Sequence, residues 1–124
     1  MDKIAIDAVI NPLTVKYQCK NGELLTQPEA FAELIELCKE TELFFEKIQL
    51  LLSFDLFEKA QFIAKLTANN VSSMLQDTKN KQPTEIDFIN GYLLRKAIEH
   101  NIKLPISTSL VDLIKSYEAE KKIC

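Results

Sequence analysis

The sequence contains very little glycine, and what there is stands far apart. Only two of its 124 residues are glycine, Gly22 and Gly91. A phosphate-binding loop or a dinucleotide-binding fingerprint needs several glycines close together, so neither motif occurs in this sequence. This scarcity excludes nucleotide binding through the usual glycine-rich loop, and it favours long helices joined by few turns.

Histidine and cysteine are also too few, or too widely spaced, for a metal site. His100 is the single histidine, and Cys19, Cys38 and Cys124 have no metal-binding spacing and cannot all pair. We therefore predict no metal site. Unpaired cysteines, and a first segment unlike a signal peptide, predict a cytoplasmic location.

Neither charge nor hydrophobicity points to a nucleic acid or a membrane. The formal net charge is −3 and no basic block occurs, so we expect no nucleic-acid partner. The longest apolar stretch, "IQLLLSFDLF", is interrupted by polar residues and is too short to cross a bilayer. A hydrophobic content of 47% fits one ordinary globular domain over residues 1–124.

Helical periodicity dominates the chain, and no stretch shows sustained two-residue alternation, so we predict an all-α single domain. The helices are expected over about 2–16, 26–50, 55–66, 84–100 and 107–117, with one short turn in the loop between 69 and 83. We expect a bend near Pro12 and a turn at Asn21-Gly22. The residues expected to begin helices are Thr26 (with Glu29), Asp55, Ser72 and Thr84 (with Asp87).

A narrow polar row in the first helix is the most informative local pattern. In "KIAIDAVINPL", Lys3, Asp7 and Asn11 recur every fourth residue, and the row covers an arc of about 80°. Apolar residues occupy the rest of the helix, although a solvated face is normally broader. The ordinary interpretation is an exposed Lys3–Asp7 ion pair beside an asparagine, and the alternative is a functional face.

Three further polar features have an ordinary explanation of the same kind. Ser73, with its neighbour Ser72, can cap a short helical turn. Glu85 follows the expected cap at Thr84, where the helix dipole favours an acid, although Asp87 is better placed for the capping box. Asn21 fits the local chemistry of an Asn-Gly turn. From the residues alone, both interpretations stay open.

Three segments together resemble a known family. "KIAIDAVINPLT…CKNGELL", "SSMLQD" and "TEIDFINGYLL…A…HNIKLP" are similar to the C-terminal domain of ketopantoate reductase (2-dehydropantoate 2-reductase), in the family's order and from Lys3 to about Tyr117. The resemblance implies a helical substrate domain, like the C-terminal domain of 6-phosphogluconate dehydrogenase. It also implies a partner Rossmann domain for NADPH (NADP), which this chain is expected to lack.

The same resemblance implies roles for single residues. The proton donor to the keto oxygen of 2-dehydropantoate (ketopantoate) matches Lys3. An acid close to the cofactor and the substrate matches Glu85. The positions that contact the substrate match Asp7, Asn11, Asn21 and Ser73. The reaction yields pantoate for pantothenate and coenzyme A synthesis, and we expect no turnover from this chain alone.

One position departs from the family pattern, which has asparagine where this chain has Asp7. A carboxylate one turn from Lys3 favours the protonated lysine and repels an anionic 2-keto acid. Two hypotheses therefore stand: the substrate-binding and proton-donating portion of such a reductase, or a non-catalytic helical module for dimerisation or small-acid binding. A homodimer is compatible with both.

Overall fold

A computed structural model describes the backbone of residues 2–123 and the side chains of residues 2–119. It contains six α-helices and one short 3₁₀ helix, and no β-strand occurs within residues 2–123, which confirms the all-α prediction. The helices are α1 (Asp2–Tyr17), the 3₁₀ helix (Asn21–Leu25), α2 (Pro28–Lys47), α3 (Leu56–Leu66), α4 (Ser73–Lys79), α5 (Asn90–Glu99) and α6 (Pro105–Ile123).

The first helix is the centre of the packing. α1 contacts α2, α3, α4 and α6, whereas α5 packs mainly on α6. Burial of α1 on several sides explains why apolar residues cover most of its surface. The buried residues of this helix are Ala5, Ala8, Val9, Ile10, Pro12, Leu13, Thr14 and Val15. Within the part of the chain that the structure describes, no helix is long and apolar enough to cross a membrane.

Two of the predicted helix starts are confirmed. The carboxylate of Asp55 accepts a hydrogen bond from the backbone N–H of Glu58, 2.9 Å away, at the start of α3. The hydroxyl of Ser72 accepts one from the N–H of Leu75, 3.1 Å away, at the start of α4. Both contacts satisfy N–H groups that the first helical turn leaves without partners.

The other two starts were predicted too early. α2 begins at Pro28, because the Thr26 hydroxyl donates to the carbonyl of Glu23 and does not cap the helix. α5 begins at Asn90, after a turn over residues 86–89. The expected Thr84–Asp87 capping box does not form, because both residues bond to α6.

Two side chains of α6 hold the segment before α5. Thr84 donates through its hydroxyl to the carboxylate of Glu118, 2.7 Å away. The carboxylate of Asp87 lies 2.8 Å from the ammonium of Lys115. These contacts come from a helix that is distant in sequence, so a local capping rule cannot anticipate them.

Gly22 allows a close approach between two segments. The residue lies in the 3₁₀ helix and not in the simple turn predicted, and its φ is not positive. A Cβ at this position would lie 2.5 Å from the Cβ of Ala68. The glycine is thus required by the closeness of the 67–70 turn, not by a special backbone conformation.

Most aromatic residues pack in or against the core, as their spacing predicts, but Phe62 and Phe88 do not. Their side chains are 57% and 75% exposed, respectively. Cys19 and Cys38 are buried and unpaired, and burial raises the pKa of the Cys38 thiol to about 12. Cys124 lies outside the described residues.

Candidate functional site

The polar row of α1 lies on the more accessible side of an otherwise buried helix. Lys3 is exposed, whereas Asp7 and Asn11 are partly buried. Successive members are one turn apart, about 6 Å along the helix axis, so the row extends over about 12 Å. The interpretation of a narrow polar strip on a mostly buried helix is therefore confirmed, while the role of the strip is a separate question.

Lys3 and Asp7 do not form the contact ion pair of the ordinary interpretation. No described carboxylate lies within ion-pair distance of the Lys3 ammonium. The two charges nevertheless interact through space: burial raises the pKa of Asp7, the charge of Lys3 lowers that pKa, and the charge of Glu85 raises it. Lys3 thus keeps an ammonium group that is free to meet a ligand.

Glu85 belongs to the same electrostatic neighbourhood, although it is distant in sequence. It lies in the segment before α5, its side chain is exposed, and its charge acts on the carboxyl of Asp7. The fold therefore brings together an ammonium and two carboxyl groups at the N-terminal end of α1. This arrangement can hold and move a proton beside a bound anion or carbonyl.

Ser73 is linked to the other end of the row through its neighbour. The hydroxyls of Thr14 and Ser72 are 2.6 Å apart, and Thr14 also donates to the carbonyl of Asn11 at 2.7 Å. Ser72 is buried while Ser73, the first residue of α4, is exposed. The two serines therefore differ in their contacts. Ser72 holds α4 against α1, whereas the hydroxyl of Ser73 lies at the surface.

Asn21 is more strongly engaged in the fold than the other predicted residues. Its side-chain Nδ2 donates to the hydroxyl of Thr67, 2.9 Å away, and its backbone N–H donates to the carbonyl of Asn70 at 3.0 Å. Its Oδ1 is buried, and no described residue donates to it. A direct contact between Asn21 and a substrate would require the side chain to turn out of this packing.

None of the six residues lines either of two surface hollows of this domain. A groove of about 750 Å³ lies between the end of α5 and the start of α6, with Ile98, Ile102 and Leu104 among its lining residues. A smaller one of about 230 Å³ lies beside the loop after α2, at Phe45 and Phe54. The candidate site therefore belongs to neither of these two hollows.

The described residues do not form the usual binding site for the pyrophosphate of NADPH. A pyrophosphate is usually cradled by backbone N–H groups of a glycine-rich loop at a helix N-terminus. Here Gly22 packs against Ala68, and a Cβ at Gly91 would meet Asp87 and Arg95. Neither glycine therefore lies in a loop of the kind that holds a pyrophosphate.

Comparison with known proteins identifies the fold and the family. The family model described as "Ketopantoate reductase PanE/ApbA C terminal" matches residues 1–118. The chain belongs to this family. The ketopantoate reductase resemblance, and its restriction to the C-terminal part, are thus confirmed.

Individual relatives agree with the family. The 2-dehydropantoate 2-reductase of Escherichia coli O157:H7 is 41% identical over 119 residues, which is 95% of this chain and 38% of that protein. The crystal structure of a probable 2-dehydropantoate 2-reductase from Bacillus subtilis superposes with a TM-score of 0.85 at 35% identity, over 94% of this chain and 39% of that one. A ketopantoate reductase from Ralstonia eutropha JMP134 has the same fold, with a TM-score of 0.89 at 22% identity, over 98% of this chain and 41% of that one.

The chain spans about two fifths of the length of these relatives: 38% of the E. coli protein and 39% of the B. subtilis chain. It corresponds to the C-terminal domain of ketopantoate reductases, and these relatives are named as oxidoreductases of 2-dehydropantoate.

Sequence reasoning missed two polar residues that organise this face. Thr14 joins α1 to the cap of α4, and Asn90 donates to the carbonyl of Ala8. Thr14 gave no signal, because a threonine within a helix is common. Pro12 predicts that the Ala8 carbonyl lacks its helical partner, but it does not show which residue supplies a donor.

Proposed function

We propose that this domain is the substrate-binding and proton-donating part of an NADPH-dependent 2-dehydropantoate 2-reductase. What supports this most directly is the cluster at the N-terminal end of α1. Lys3 and Glu85 both act on the pKa of Asp7, although Glu85 belongs to a segment distant in sequence. Family membership adds the reaction, because the relatives are named for it.

Lys3 is proposed to stabilise the growing negative charge on the keto oxygen and then to give it a proton. The cofactor supplies a hydride to the carbonyl carbon when it is bound. Charge develops on the oxygen as the hydride arrives, and a positioned ammonium stabilises that charge. The Lys3 ammonium suits this role, because no described carboxylate holds it in a contact pair.

The other members of the site are proposed to bind and orient the substrate. Asn11 and Ser73 are accessible and can bind hydroxyl or carboxylate oxygens without adding charge. Asn21 contributes in the same way if its side chain turns outward. Glu85 is proposed to lie beside the cofactor and the substrate, as the family pattern implies.

Asp7 modifies this proposal, because its carboxylate stands where the family pattern has an asparagine. Burial raises its pKa, so the ionised carboxyl is less favourable at this position than it is in water. The carboxyl oxygens of Asp7 can accept hydrogen bonds from a substrate hydroxyl, as the oxygen of an amide does. The proposed substrate is a 2-keto acid, with ketopantoate as the first to test.

The cofactor is proposed to be held by a separate Rossmann domain, which would close over the polar face of α1. The lack of a glycine-rich loop supports this division. The test is a fusion of this chain to the cofactor-binding portion of the E. coli O157:H7 relative, assayed for NADPH oxidation that depends on ketopantoate.

We expect turnover by the fusion and none by the isolated chain. Binding of NADPH to the fusion, followed by nicotinamide fluorescence, is the control for an intact cofactor domain. A fusion that folds and binds NADPH but turns over neither ketopantoate nor other 2-keto acids would contradict the proposal. Turnover by the isolated chain would contradict the proposal that a separate domain holds the cofactor.

The alternative function is a non-catalytic helical module for dimerisation or small-acid binding, and Asp7 is the observation that favours it. A negative charge opposes an anionic ligand and so weakens the catalytic case. Light scattering and calorimetric titration with pantoate and ketopantoate separate the two functions. A stable dimer that binds neither acid would support the module.

A further inference from the structure

The carbonyl of Ala8 lacks its ordinary helical partner because residue 12 is a proline. In an α-helix, this carbonyl would accept a hydrogen bond from the N–H of residue 12, and proline has no N–H. Ala8 and Pro12 are both buried in the centre of the fold. Since a buried carbonyl without a partner is costly, α1 needs a donor from another element at this point.

Asn90 supplies that donor. Its side-chain Nδ2 lies 3.0 Å from the Ala8 carbonyl oxygen, and the residue is fully buried at the first position of α5. No described residue donates to the other side-chain atom, Oδ1. The amide is therefore buried with only one of its polar atoms bonded to the rest of the domain, and that bond goes to α1.

The bond joins the two segments that carry the charged groups of the site. Ala8 directly follows Asp7. On the other side, the carbonyl of Glu85 accepts hydrogen bonds from the N–H groups of Phe88, at 2.9 Å, and Ile89, at 3.1 Å. Glu85 is thus held in a hydrogen-bonded turn that ends at Asn90. A shift at Asn90 would move Glu85 relative to Asp7.

The segment before α5 also packs into the core through the buried side chains of Ile86 and Ile89. α5 packs mainly on α6, while α1 packs on α2, α3, α4 and α6. The segment before α5 is held to α6 through Thr84 and Asp87. The Asn90–Ala8 hydrogen bond is a direct tie from the start of α5 to the helix that carries Lys3 and Asp7.

We infer that Asn90 is a positioning residue, which sets the placement of Glu85 against the Lys3–Asp7 end of α1 through its hydrogen bond to Ala8. The importance of this placement for catalysis rests on the proposed function. The placement itself does not, so it can be measured in the isolated chain without any assay of turnover.

The test measures how strongly Glu85 acts on Asp7, by following the Asp7 carboxyl in an NMR pH titration. In the unaltered chain, Glu85→Gln should lower the pKa of Asp7, because it removes a neighbouring negative charge. In an Asn90→Ala background, the same Glu85→Gln change should shift the Asp7 pKa by a smaller amount. An equal shift in both backgrounds would overturn the inference.

A second variant separates positioning from simple loss of stability. Pro12→Ala restores an N–H that can bond to the Ala8 carbonyl within α1. The double variant P12A/N90A should therefore recover stability lost in N90A, yet still show the reduced effect of Glu85 on Asp7. If the effect returned together with stability, Asn90 would be needed only to satisfy a carbonyl.

Thr41→Ala provides a matched control. Thr41 is a buried polar residue of α2, and no described group bonds to its hydroxyl, so the change disturbs the core away from the Asn90–Ala8 tie. The effect of Glu85 on Asp7 should be unchanged in this variant. A reduction as large as that in N90A would show that any core disturbance suffices, and would overturn the inference.

The fusion enzyme adds a catalytic readout. Misplacement of a site residue by about 1 Å can cost about 100-fold, so N90A should lower kcat by about 10- to 100-fold with a smaller change in KM. If the NMR effect is seen but the fusion is inactive even without N90A, the proposed function fails and the positioning role stands. If the fusion is active and N90A changes neither kcat nor the NMR effect, the positioning role fails alone.

Discussion

The hydroxyl oxygens of Thr14 and Ser72 lie 2.6 Å apart in the buried contact between α1 and α4. Each hydroxyl makes a second hydrogen bond: Thr14 donates to the carbonyl of Asn11, and Ser72 accepts from the N–H of Leu75. One pair of small side chains thus connects the polar row of α1 to the cap of α4. Ser73, the residue after Ser72, is exposed.

Ser72→Ala should therefore destabilise the domain more than the loss of an ordinary helix cap. The lost cap accounts for about 1 kcal/mol and the lost hydroxyl pair for about 1 kcal/mol more. Asp55→Ala, which removes the cap of α3 only, is the matched control and should cost about 1 kcal/mol. Urea unfolding curves measure both, and equal losses would show that the Thr14 contact contributes nothing.

Gly22→Ala should destabilise the fold because the new Cβ would lie 2.5 Å from the Cβ of Ala68. Overpacking of this kind costs about 1–3 kcal/mol. The double variant G22A/A68G should recover only part of the loss, because the backbone Cα of residue 68 would still lie 2.8 Å from the new Cβ. Thermal unfolding followed by circular dichroism measures each variant, and a G22A variant as stable as the unaltered chain would contradict the steric cause.

Gly91→Ala is the contrasting case and should be tolerated. Its new Cβ would meet the side-chain ends of Asp87, at 3.1 Å, and Arg95, at 3.3 Å, and both side chains are exposed enough to move. Alanine also gains up to about 1 kcal/mol of helix propensity over glycine. The same unfolding experiment should show little change or a small gain, and a loss as large as that of G22A would contradict this account.

The stability of the domain should depend on pH through Asp7. Because the pKa of folded Asp7 is raised above its ordinary value of 3.8 by burial, the folded chain keeps this proton to a higher pH than the unfolded chain. The stability that protonated Asp7 contributes is fully present below 3.8, and it is lost as the pH rises through the raised pKa.

Asp7→Asn should accordingly stabilise the domain near neutral pH, and the gain should shrink as the pH falls towards 3.8. Urea unfolding at a series of pH values measures this difference. Asp112→Asn, at an exposed position of α6, controls for the loss of one negative charge. A D7N variant that is less stable than the unaltered chain at neutral pH would contradict the assigned cause.

In the fusion enzyme, Lys3→Ala should lower kcat by about 100- to 10,000-fold, the usual contribution of a general acid. Lys39→Ala is the matched control, because Lys39 is exposed on α2 and makes only a long ion pair of 3.7 Å with Glu36. Steady-state kinetics with ketopantoate measures both variants. Retention of most activity in K3A would remove Lys3 from the catalytic role.

The sequence by itself determined the helical class, the approximate helices and the narrow polar row on α1. These follow from periodicity within one helix, which depends only on residues a few positions apart. The caps at Asp55 and Ser72 were predictable for the same reason, because a cap bonds to its own helix. The family was also recognisable, since its motifs are contiguous segments.

Only the tertiary structure decided how the distant parts of the site meet. The approach of Glu85 to Asp7 and the bond between Asn90 and Ala8, 82 positions apart, come from packing between elements. The start of α5 was predicted too early because Thr84 is bonded to Glu118 of α6. Such contacts join segments that are distant in sequence, and local helix propensity contains no information about which distant segments pack together.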